Sequence, residues 1–377
     1  MNQTSRHTDT SRPHHDPLEE LDELIRDTGG DPESDAGMRI REMMHTAIKL
    51  QRDGADLGEL KLISRSFKEL RYALKVFREY RKVRKVSVFG SARTVEGDPC
   101  YEAAVEFSRQ MASAGWMVIT GAGDGIMRAG HGGAGREASF GVAIRLPFET
   151  NANEYIVGDP KLITFRYFFT RKLMFMWQSH AIALFPGGFG THDEGFEALT
   201  LVQTGKAPLL PIVMLDKPGG VYWKEWDQYV RRQLLANGMI SEEDLSLYHV
   251  TDDPAEACAH ITRFHRNYHS QRFVQDTLVL RLMRSLTDEQ VAQLNDEFAV
   301  LVADGRITQG QPLEEEDDHL ELPRLHFQST RRSYGKLRQL IDRINAFDEV
   351  NHPSPEQPLP SEPPYSDLAD QTSASGE

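Results

Sequence analysis

The chain is short of the residues that build disulfide frameworks and membrane spans. Only two cysteines occur among 377 residues, Cys100 and Cys258, and neither lies in a CxxC or Cys/His ligand pattern. This scarcity indicates a reducing compartment and argues against structural disulfides. No apolar run is long enough to cross a bilayer, and the polar N-terminus has no apolar signal core. We therefore expect a cytoplasmic protein with no membrane partner.

Positive charge is also scarce. The sequence has 43 Lys and Arg against 57 Asp and Glu, a formal net charge of −14. Sequence-independent binding to DNA or RNA depends on Lys and Arg that neutralise phosphates, so no nucleic-acid partner is expected. The basic stretch at residues 68–85 is interpreted as the solvated face of a packed helix rather than a nucleic-acid patch. A small phosphate ligand stays compatible with the acidic chain, because one loop can hold it locally.

The central part of the chain alternates short apolar strands with helices. Such near-continuous apolar strands, joined by helices, are typical of a parallel sheet covered on both faces. The sequence thus predicts an α/β protein with a Rossmann-like, doubly wound parallel sheet, whose ligands bind at the carboxyl ends of the strands. The predicted strands are Lys85–Phe89, Trp116–Thr120, Phe140–Leu146, His180–Phe185 and Leu209–Leu215.

Composition and periodicity divide the chain into five parts. The two ends are polar or rich in Pro and Ser, whereas the segments next to the predicted sheet show helical periodicity. The acidic run Glu314–Asp318 is expected to be a solvated loop. The predicted parts are a disordered tail at 1–16, a helical extension at 17–80, a nucleotide-binding catalytic domain at 81–255, a helical C-terminal extension at 256–349 and a disordered tail at 350–377.

The strongest motif is FPGGFGTHDEGFEALT, residues 185–200. Glycines allow close backbone approach to a ligand, and the helix that follows offers unpaired N–H groups and the positive end of its dipole. These features predict a phosphate seat formed by Gly187, Gly188, Phe189, Gly190 and Thr191. A structural alternative is a capping box, in which Thr191 caps the helix and Glu194 satisfies the backbone N–H of the cap.

Two other loops follow predicted strands at the same edge. Gly90 and Ser91, followed by Arg93, end the first strand, and Gly121 and Gly123 end the second. The second loop begins like a dinucleotide fingerprint, but Ile126 stands where GxGxxG has its third glycine. Both loops are predicted to line a nucleotide pocket, with a simple tight turn as the alternative for each.

A pair of cations interrupts the apolar helix that precedes the glycine motif. Arg171 and Lys172 lie in the segment ITFRYFFTRKLMFMWQ. A buried helix face does not carry an arginine without a partner. Arg171 is therefore expected either to pair structurally with a carboxylate or to act in the site, and Lys172 is expected to bind the substrate.

These motifs together resemble the LOG family of cytokinin-activating phosphoribohydrolases and the longer bacterial nucleotide 5′-monophosphate nucleosidases, many of which carry the label lysine decarboxylase. The family signature PGGxGTxxE is present at residues 186–194, and the companion Arg-Lys pair lies at the family's distance upstream. The resemblance covers roughly residues 80–215. A further stretch typical of the longer members is matched by Leu146-Pro147-Phe148-Glu149, Asn153 and Tyr155. The sequence departs from the family at His192, Asp193 and His131.

The resemblance implies hydrolysis of a nucleoside 5′-monophosphate to free base and ribose 5-phosphate. It implies Glu194 and Arg171 as catalytic residues, no metal, no cofactor and a homodimer or higher homo-oligomer. Glycosidic cleavage builds positive charge on the sugar, which a nearby carboxylate stabilises. The main alternative is a non-catalytic nucleotide sensor of the same fold. A nicotinamide-dependent oxidoreductase and a lysine decarboxylase have less support, because the third glycine is absent and nothing marks a lysine for pyridoxal phosphate.

Overall fold

A computed structural model describes residues 17–145 and 152–351 of the chain. The tail predicted at 1–16, residues 352–377 of the other predicted tail and the stretch Leu146–Glu149 lie outside the described residues. The chain divides into two compact units, residues 1–68 and 69–377, with the boundary inside the third helix. Among the described residues no helix is both long enough and apolar enough for a transmembrane span.

The first unit is helical in its described part. It holds helices α1 (Pro17–Asp27), α2 (Asp35–Arg52) and the beginning of α3 (Leu57–Phe77). The Ser34 side chain caps α2 by accepting a hydrogen bond from the Gly37 N–H, as expected for a serine at this position. An ion pair of 3.0 Å between Arg41 and Asp22 joins α2 to α1. Helices are thus the secondary structure of the segment 17–68.

The second unit is built on a seven-stranded parallel sheet, which confirms the predicted Rossmann-like fold class. Its strand order is β4-β3-β2-β1-β5-β6-β7. The strands are β1 (Lys85–Phe89), β2 (Met117–Thr120), β3 (Ser139–Ile144), β4 (Leu162–Phe165), β5 (Ala181–Leu184), β6 (Ile212–Leu215) and β7 (Tyr248–Thr251).

The strand order reverses at the centre of the sheet. Strand β1 pairs with β2 on one side and with β5 on the other, both in parallel. In open α/β sheets this reversal leaves a crevice outside the carboxyl ends of the two central strands, where ligands bind. The loop after β1 and the glycine motif after β5 therefore meet at the switch point.

Helices cover both faces of this sheet, because its strands are apolar on both. Val86 and Val88 pack on one face with Phe107, whereas Ile182 and Leu184 belong to the hydrophobic cluster on the other. Side chains alternate between the faces along each strand, so continuous apolar runs serve both cores. The helices are α4 (Pro99–Ser113), α5 (Ile126–Ala134), α6 (Phe168–Gln178), α7 (Phe189–Gln203), α8 (Tyr222–Tyr229) and α9 (Pro254–Phe264).

The sheet differs from the sequence prediction in its two edge strands and in the bounds of several others. Strands β4, Leu162–Phe165, and β7, Tyr248–Thr251, were not among the predicted strands, because a partly exposed strand of four residues at a sheet edge carries little periodic signal. Strand β6 begins at Ile212 rather than Leu209. Leu209 and Leu210 are buried, but Pro211 has no N–H to donate, so the ladder of β6 starts after it.

The prediction of a helical extension at 256–349 is wrong for much of that segment. The structure has a four-stranded antiparallel sheet in the order β10-β11-β9-β8. Its strands are β8 (Tyr268–Val274), β9 (Thr277–Leu282), β10 (Val302–Gly310) and β11 (Arg324–Ser329), and α10 (Asp288–Phe298) and α11 (Tyr334–Asn351) accompany them. The β8–β9 hairpin turns on Gln275-Asp276, with Gln275 at φ 54°, and this pair is not the Asn-Gly or Asp-Gly signal that marks such turns.

Candidate active site

A cavity of about 760 Å³ opens at the carboxyl ends of the central strands. Residues 89–93 after β1, Gly121 after β2 and the segment 187–192 after β5 line it, together with Met127, Arg171 and Glu194. The three loops that the sequence marked with glycines therefore reach one cavity. The placement follows from the parallel sheet, whose strands all end at the same edge.

The loop after β5 carries the start of helix α7 to the cavity. Helix α7 begins at Phe189 with Gly188 at its N-cap, so the N–H groups of its first turn have no intrahelical partner. A Cβ on Gly187 would lie 2.2 Å from Thr191 Oγ1, which excludes any larger residue there without a shift of the loop. This loop has the free donors and positive helix end that an anion requires.

The capping-box interpretation of Thr191 and Glu194 is wrong. Helix α7 starts two residues before Thr191, and no side chain hydrogen-bonds to its N-cap. Glu194 therefore lies beyond the first turn, and its carboxylate lines the cavity. The physical reason is that Gly188 adopts the N-cap position, so that Phe189 and Gly190 join the helix.

The environment of Glu194 favours the protonated carboxyl. Burial raises the pKa of Glu194 to about 7, against the opposing effect of the Arg171 charge. Within residues 17–145 and 152–351, no donor hydrogen-bonds to this carboxylate. A carboxyl in a cavity with a pKa near neutrality is characteristic of groups that take part in acid–base or electrostatic catalysis.

Arg171 on α6 is held in place by the protein. Its Nε donates to the Val142 carbonyl at 2.8 Å, and its guanidinium lies over the Phe175 ring, 5.2 Å from the ring centre. The side chain is largely buried and still lines the cavity. Arg171 thus presents a fixed positive charge beside Glu194.

Lys172 is not among the residues that line the cavity. Its Nζ forms ion pairs with Asp193 at 2.8 Å and Glu197 at 2.7 Å, which join α6 to α7. In this structure Lys172 therefore joins α6 to α7, and its predicted contact with substrate stays a prediction.

The loop after β2 is shaped by its neighbours. A Cβ on Gly121 would lie 2.4 Å from Arg171 Nη2, and one on Gly123 would lie 2.8 Å from Met127 Cε. Gly121 lines the cavity, whereas Gly123 lies against the Met127 side chain. Ile126, at the position of the missing third glycine, packs 2.7 Å from where a Cβ on Gly90 would lie.

A buried polar network fixes the same loop. His131 lies 3.0 Å from Thr120 Oγ1 and 3.2 Å from Asn153 Oδ1, and Asn153 Nδ2 donates to the Gly123 carbonyl at 3.0 Å. Burial lowers the pKa of His131, so the ring is neutral. His131 thus has a structural role here. The ring of Tyr155 packs 3.2 Å from where a Cβ on Gly132 would lie.

Several residues of the cavity were not among the predicted site residues. Phe89, Ala92, Arg93, Met127 and His192 line it, and the Arg93 guanidinium forms no hydrogen bond or ion pair with a described residue. Arg93 was noted only as a possible companion of Ser91. Met127 lies on α5, behind a glycine loop, and no local pattern in the sequence marks such a contact.

The described residues hold no group of three or more His, Cys, Asp or Glu side chains arranged to bind a metal ion. The polar groups of the residues that line the cavity are instead backbone amides, the hydroxyls of Ser91 and Thr191, the His192 imidazole, two arginines and the Glu194 carboxylate. The amides and arginines suit an anionic group of a ligand, and the carboxylate suits a neutral or cationic centre next to that group.

Comparison with known proteins gives one family match, which covers part of the chain. Residues 123–261 match the family described as "Possible lysine decarboxylase", and this range includes the PGGxGTxxE motif. No curated protein matches the chain.

Several solved structures are similar to part of the chain. The molybdenum cofactor carrier protein of Chlamydomonas reinhardtii is 22% identical, over 47% of this chain and 94% of that one, with a TM-score of 0.33. The molybdenum cofactor binding protein of Rippkaea orientalis is 16% identical, over 48% and 93%, with a TM-score of 0.33. DNA processing protein A of Helicobacter pylori is 11% identical, over 49% and 81%, with a TM-score of 0.29.

Proposed function

We propose that the protein hydrolyses the N-glycosidic bond of nucleoside 5′-monophosphates, giving free base and ribose 5-phosphate. One observation carries the proposal: a desolvated carboxyl with its pKa raised to about 7 lines the same cavity as the unpaired amides of a helix start. The amides suit a phosphate, and the carboxylate suits the cationic sugar that glycosidic cleavage produces.

The 5′-phosphate binds to the loop Gly187–Thr191 in this proposal. The N–H groups at the start of α7 donate to the phosphate oxygens, and the helix dipole adds a favourable charge. Arg93, whose guanidinium has no partner among the described side chains, supplies a charge-assisted contact to the same anion. Anchoring the phosphate fixes the ribose over Glu194, and such orientation lowers the barrier by up to about 7–11 kcal/mol in ideal cases.

Glu194 acts on the sugar carbon C1′. As the bond from C1′ to the base nitrogen breaks, its electron pair leaves with the base and positive charge develops on the ribose ring. The ionised Glu194 stabilises that charge and accepts a proton from the water whose oxygen bonds to C1′. The proton that Glu194 accepts passes through solvent to the departing base, which regenerates the carboxylate, and Arg171 keeps Glu194 and the substrate in position.

The test is a panel of AMP, GMP, CMP, UMP and IMP, with free base and ribose 5-phosphate measured by chromatography. Wild type is expected to release base from at least one of them. Glu194→Gln is expected to bind that nucleotide but to lose at least about 100-fold in kcat, since glutamine is isosteric and cannot carry charge. Glu197→Gln, one turn further along α7 and paired with Lys172, is the matched control and is expected to keep most of the activity.

The panel also separates the enzyme from the alternative function. Tight binding of a nucleotide by wild type, with no base released from any member, would replace the enzyme by a nucleotide sensor. Release of base by Glu194→Gln at the wild-type rate would remove Glu194 from the mechanism.

A further inference from the structure

A chain of two hydrogen bonds ends on the backbone of the glycine loop. Tyr222 Oη donates to the Gly187 carbonyl at 2.6 Å, and His192 Nε2 lies 2.7 Å from the same hydroxyl. Tyr222 belongs to α8, 35 residues after Gly187, whereas His192 is in the first turns of α7. The three residues therefore connect both ends of the phosphate loop to a neighbouring helix.

The direction of each proton follows from the chemistry of the groups. A carbonyl only accepts, so the single proton of the Tyr222 hydroxyl is committed to Gly187. The hydroxyl must then accept from His192, which requires the proton of the imidazole to be on Nε2. Protonation of His192 keeps that donor in place, because both ring nitrogens of the imidazolium carry protons.

The backbone and the ring of Tyr222 are both held by neighbouring residues. The Tyr222 N–H donates to Asp216 Oδ2 at 2.8 Å, and Asp216 is a buried residue directly after β6. The Tyr222 ring packs edge-on against Trp223, with ring centres 4.9 Å apart. Tyr222 thus holds Gly187 from a fixed position on the sheet.

The held carbonyl determines which way the next N–H points. In a trans peptide the C=O and the following N–H lie on opposite sides, and no described peptide bond is cis. A carbonyl of Gly187 that points to Tyr222 therefore directs the Gly188 N–H away from Tyr222. Peptides between two glycines rotate with little steric resistance, and a rotated peptide would present its carbonyl oxygen where the N–H now lies.

We propose that Tyr222, oriented by His192, is a positioning residue that keeps the Gly187–Gly188 peptide with its N–H toward the ligand phosphate. The proposal rests on the phosphate seat of the proposed function and adds two residues to it.

The experiment measures Kd for AMP and adenosine by titration calorimetry, and KM and kcat on whichever nucleotide is cleaved. Tyr222→Phe is expected to weaken AMP binding about tenfold, the usual worth of one hydrogen bond at an anion, and to leave adenosine binding and kcat nearly unchanged. His192→Gln keeps an N–H donor near the position of Nε2, and we expect this variant to bind AMP with wild-type affinity. His192→Leu has no donor and is expected to lower AMP affinity by a smaller factor than Tyr222→Phe.

Tyr248→Phe is the matched control. Its hydroxyl donates to Asp227 at 2.6 Å, so the substitution also removes one tyrosine hydrogen bond, at the neighbouring strand β7. If Tyr222→Phe and Tyr248→Phe change AMP affinity equally, or if adenosine binding falls as much as AMP binding, the positioning role is overturned. If Tyr222→Phe does not fold, the comparison of His192→Gln with His192→Leu decides, and equal affinities overturn the role.

The outcomes distinguish this proposal from the proposed function. Wild type that binds AMP without cleaving any nucleotide overturns the hydrolase, while the affinities of the variants still test the role of Tyr222. Wild type that binds neither AMP nor inorganic phosphate overturns the phosphate seat and both proposals together.

Discussion

Gly121 and Arg171 fit together with no room between them. A Cβ on Gly121 would lie 2.4 Å from Arg171 Nη2 and 2.6 Å from Met127 Sδ. The guanidinium cannot retreat freely, because its Nε is hydrogen-bonded to the Val142 carbonyl and it lies over the Phe175 ring. The glycine therefore determines where the positive charge beside Glu194 is located.

Gly121→Ala is expected to displace the Arg171 guanidinium and to lower kcat/KM for the nucleotide at least tenfold. Because the displaced atoms are ends of side chains rather than backbone, the loss in melting temperature should be small. Gly123→Ala is the matched control, since a Cβ there meets only Met127, at 2.8 Å. Equal loss of activity in the two variants would show that Met127, not Arg171, is the sensitive neighbour.

The pH dependence of turnover should report Glu194. Burial raises the pKa of Glu194 to about 7, and the proposed mechanism uses the ionised form. We expect kcat at saturating nucleotide to rise with pH, about tenfold per unit below neutrality, and to level off above it. A profile that stays flat between pH 5 and 8 would contradict an ionised Glu194 in the rate-limiting step.

The same pKa shift predicts how Glu194 affects stability. A carboxyl with a folded-state pKa above its unfolded value of 4.5 binds a proton more tightly when folded, so its unfavourable contribution grows from about pH 4.5 to about 7 and is full above that. Glu194→Gln should therefore raise the free energy of unfolding by on the order of 2–3 kcal/mol at pH 8 and hardly at all at pH 4.5. Urea denaturation at both pH values measures this, and an equal effect at both would remove the titration of Glu194 as the cause.

Arg93 should determine affinity for the phosphate rather than the rate of bond cleavage. Its exposed guanidinium lines the cavity beside the glycine loop. We expect Arg93→Gln to raise KM about tenfold or more, to leave kcat within a factor of about two and to weaken the salt dependence of KM. Arg109→Gln, which breaks an exposed ion pair with Glu106 on α4, is the control and should change neither constant. A fall in kcat with constant KM would place Arg93 in the chemical step instead.

The parts of the fold that were predictable from the sequence are those with a local signal. The apolar run Lys85–Phe89 and the glycines after three strands indicate a parallel sheet and its binding edge, and the structure has both. The helix start at Phe189 was placed at Thr191, because Gly188 as N-cap leaves less trace than a threonine. Local patterns thus located the central strands of the sheet and the loops that follow them, with errors of up to three residues at their ends.

Contacts between distant segments were not predictable in the same way. Tyr222 reaches Gly187 only because α8 follows β6, which lies beside β5 in the sheet. The antiparallel sheet after α9 was missed since its strands mix polar and apolar residues and one hairpin turns on Gln275-Asp276. Pairing in such a sheet depends on neighbours in space, whereas helical spacing is visible along the chain.

The acidic run at 314–318 shows the same limit, and it gives a further prediction. It was expected to be a solvated loop, but Glu316 is buried between Arg281 at 3.1 Å and Arg324 at 3.4 Å. Its Oε2 also accepts a hydrogen bond from the Leu313 N–H at 3.1 Å. One carboxylate in a row of acidic residues thus forms ion pairs with two buried arginines of the antiparallel sheet.

Glu316→Gln is expected to lower the free energy of unfolding by about 3–5 kcal/mol, because two buried arginines lose the charge that compensates them. Glu314→Gln, on the same loop but exposed, removes the same charge from the chain and is expected to change stability by less than about 0.5 kcal/mol. Urea denaturation at pH 7 compares the two variants. If both variants lower the free energy of unfolding by a similar small amount, water reaches Arg281 and Arg324 and the loop does not seal them. If only Glu316→Gln lowers it, the Glu316 carboxylate stabilises the C-terminal sheet through its ion pairs with these arginines.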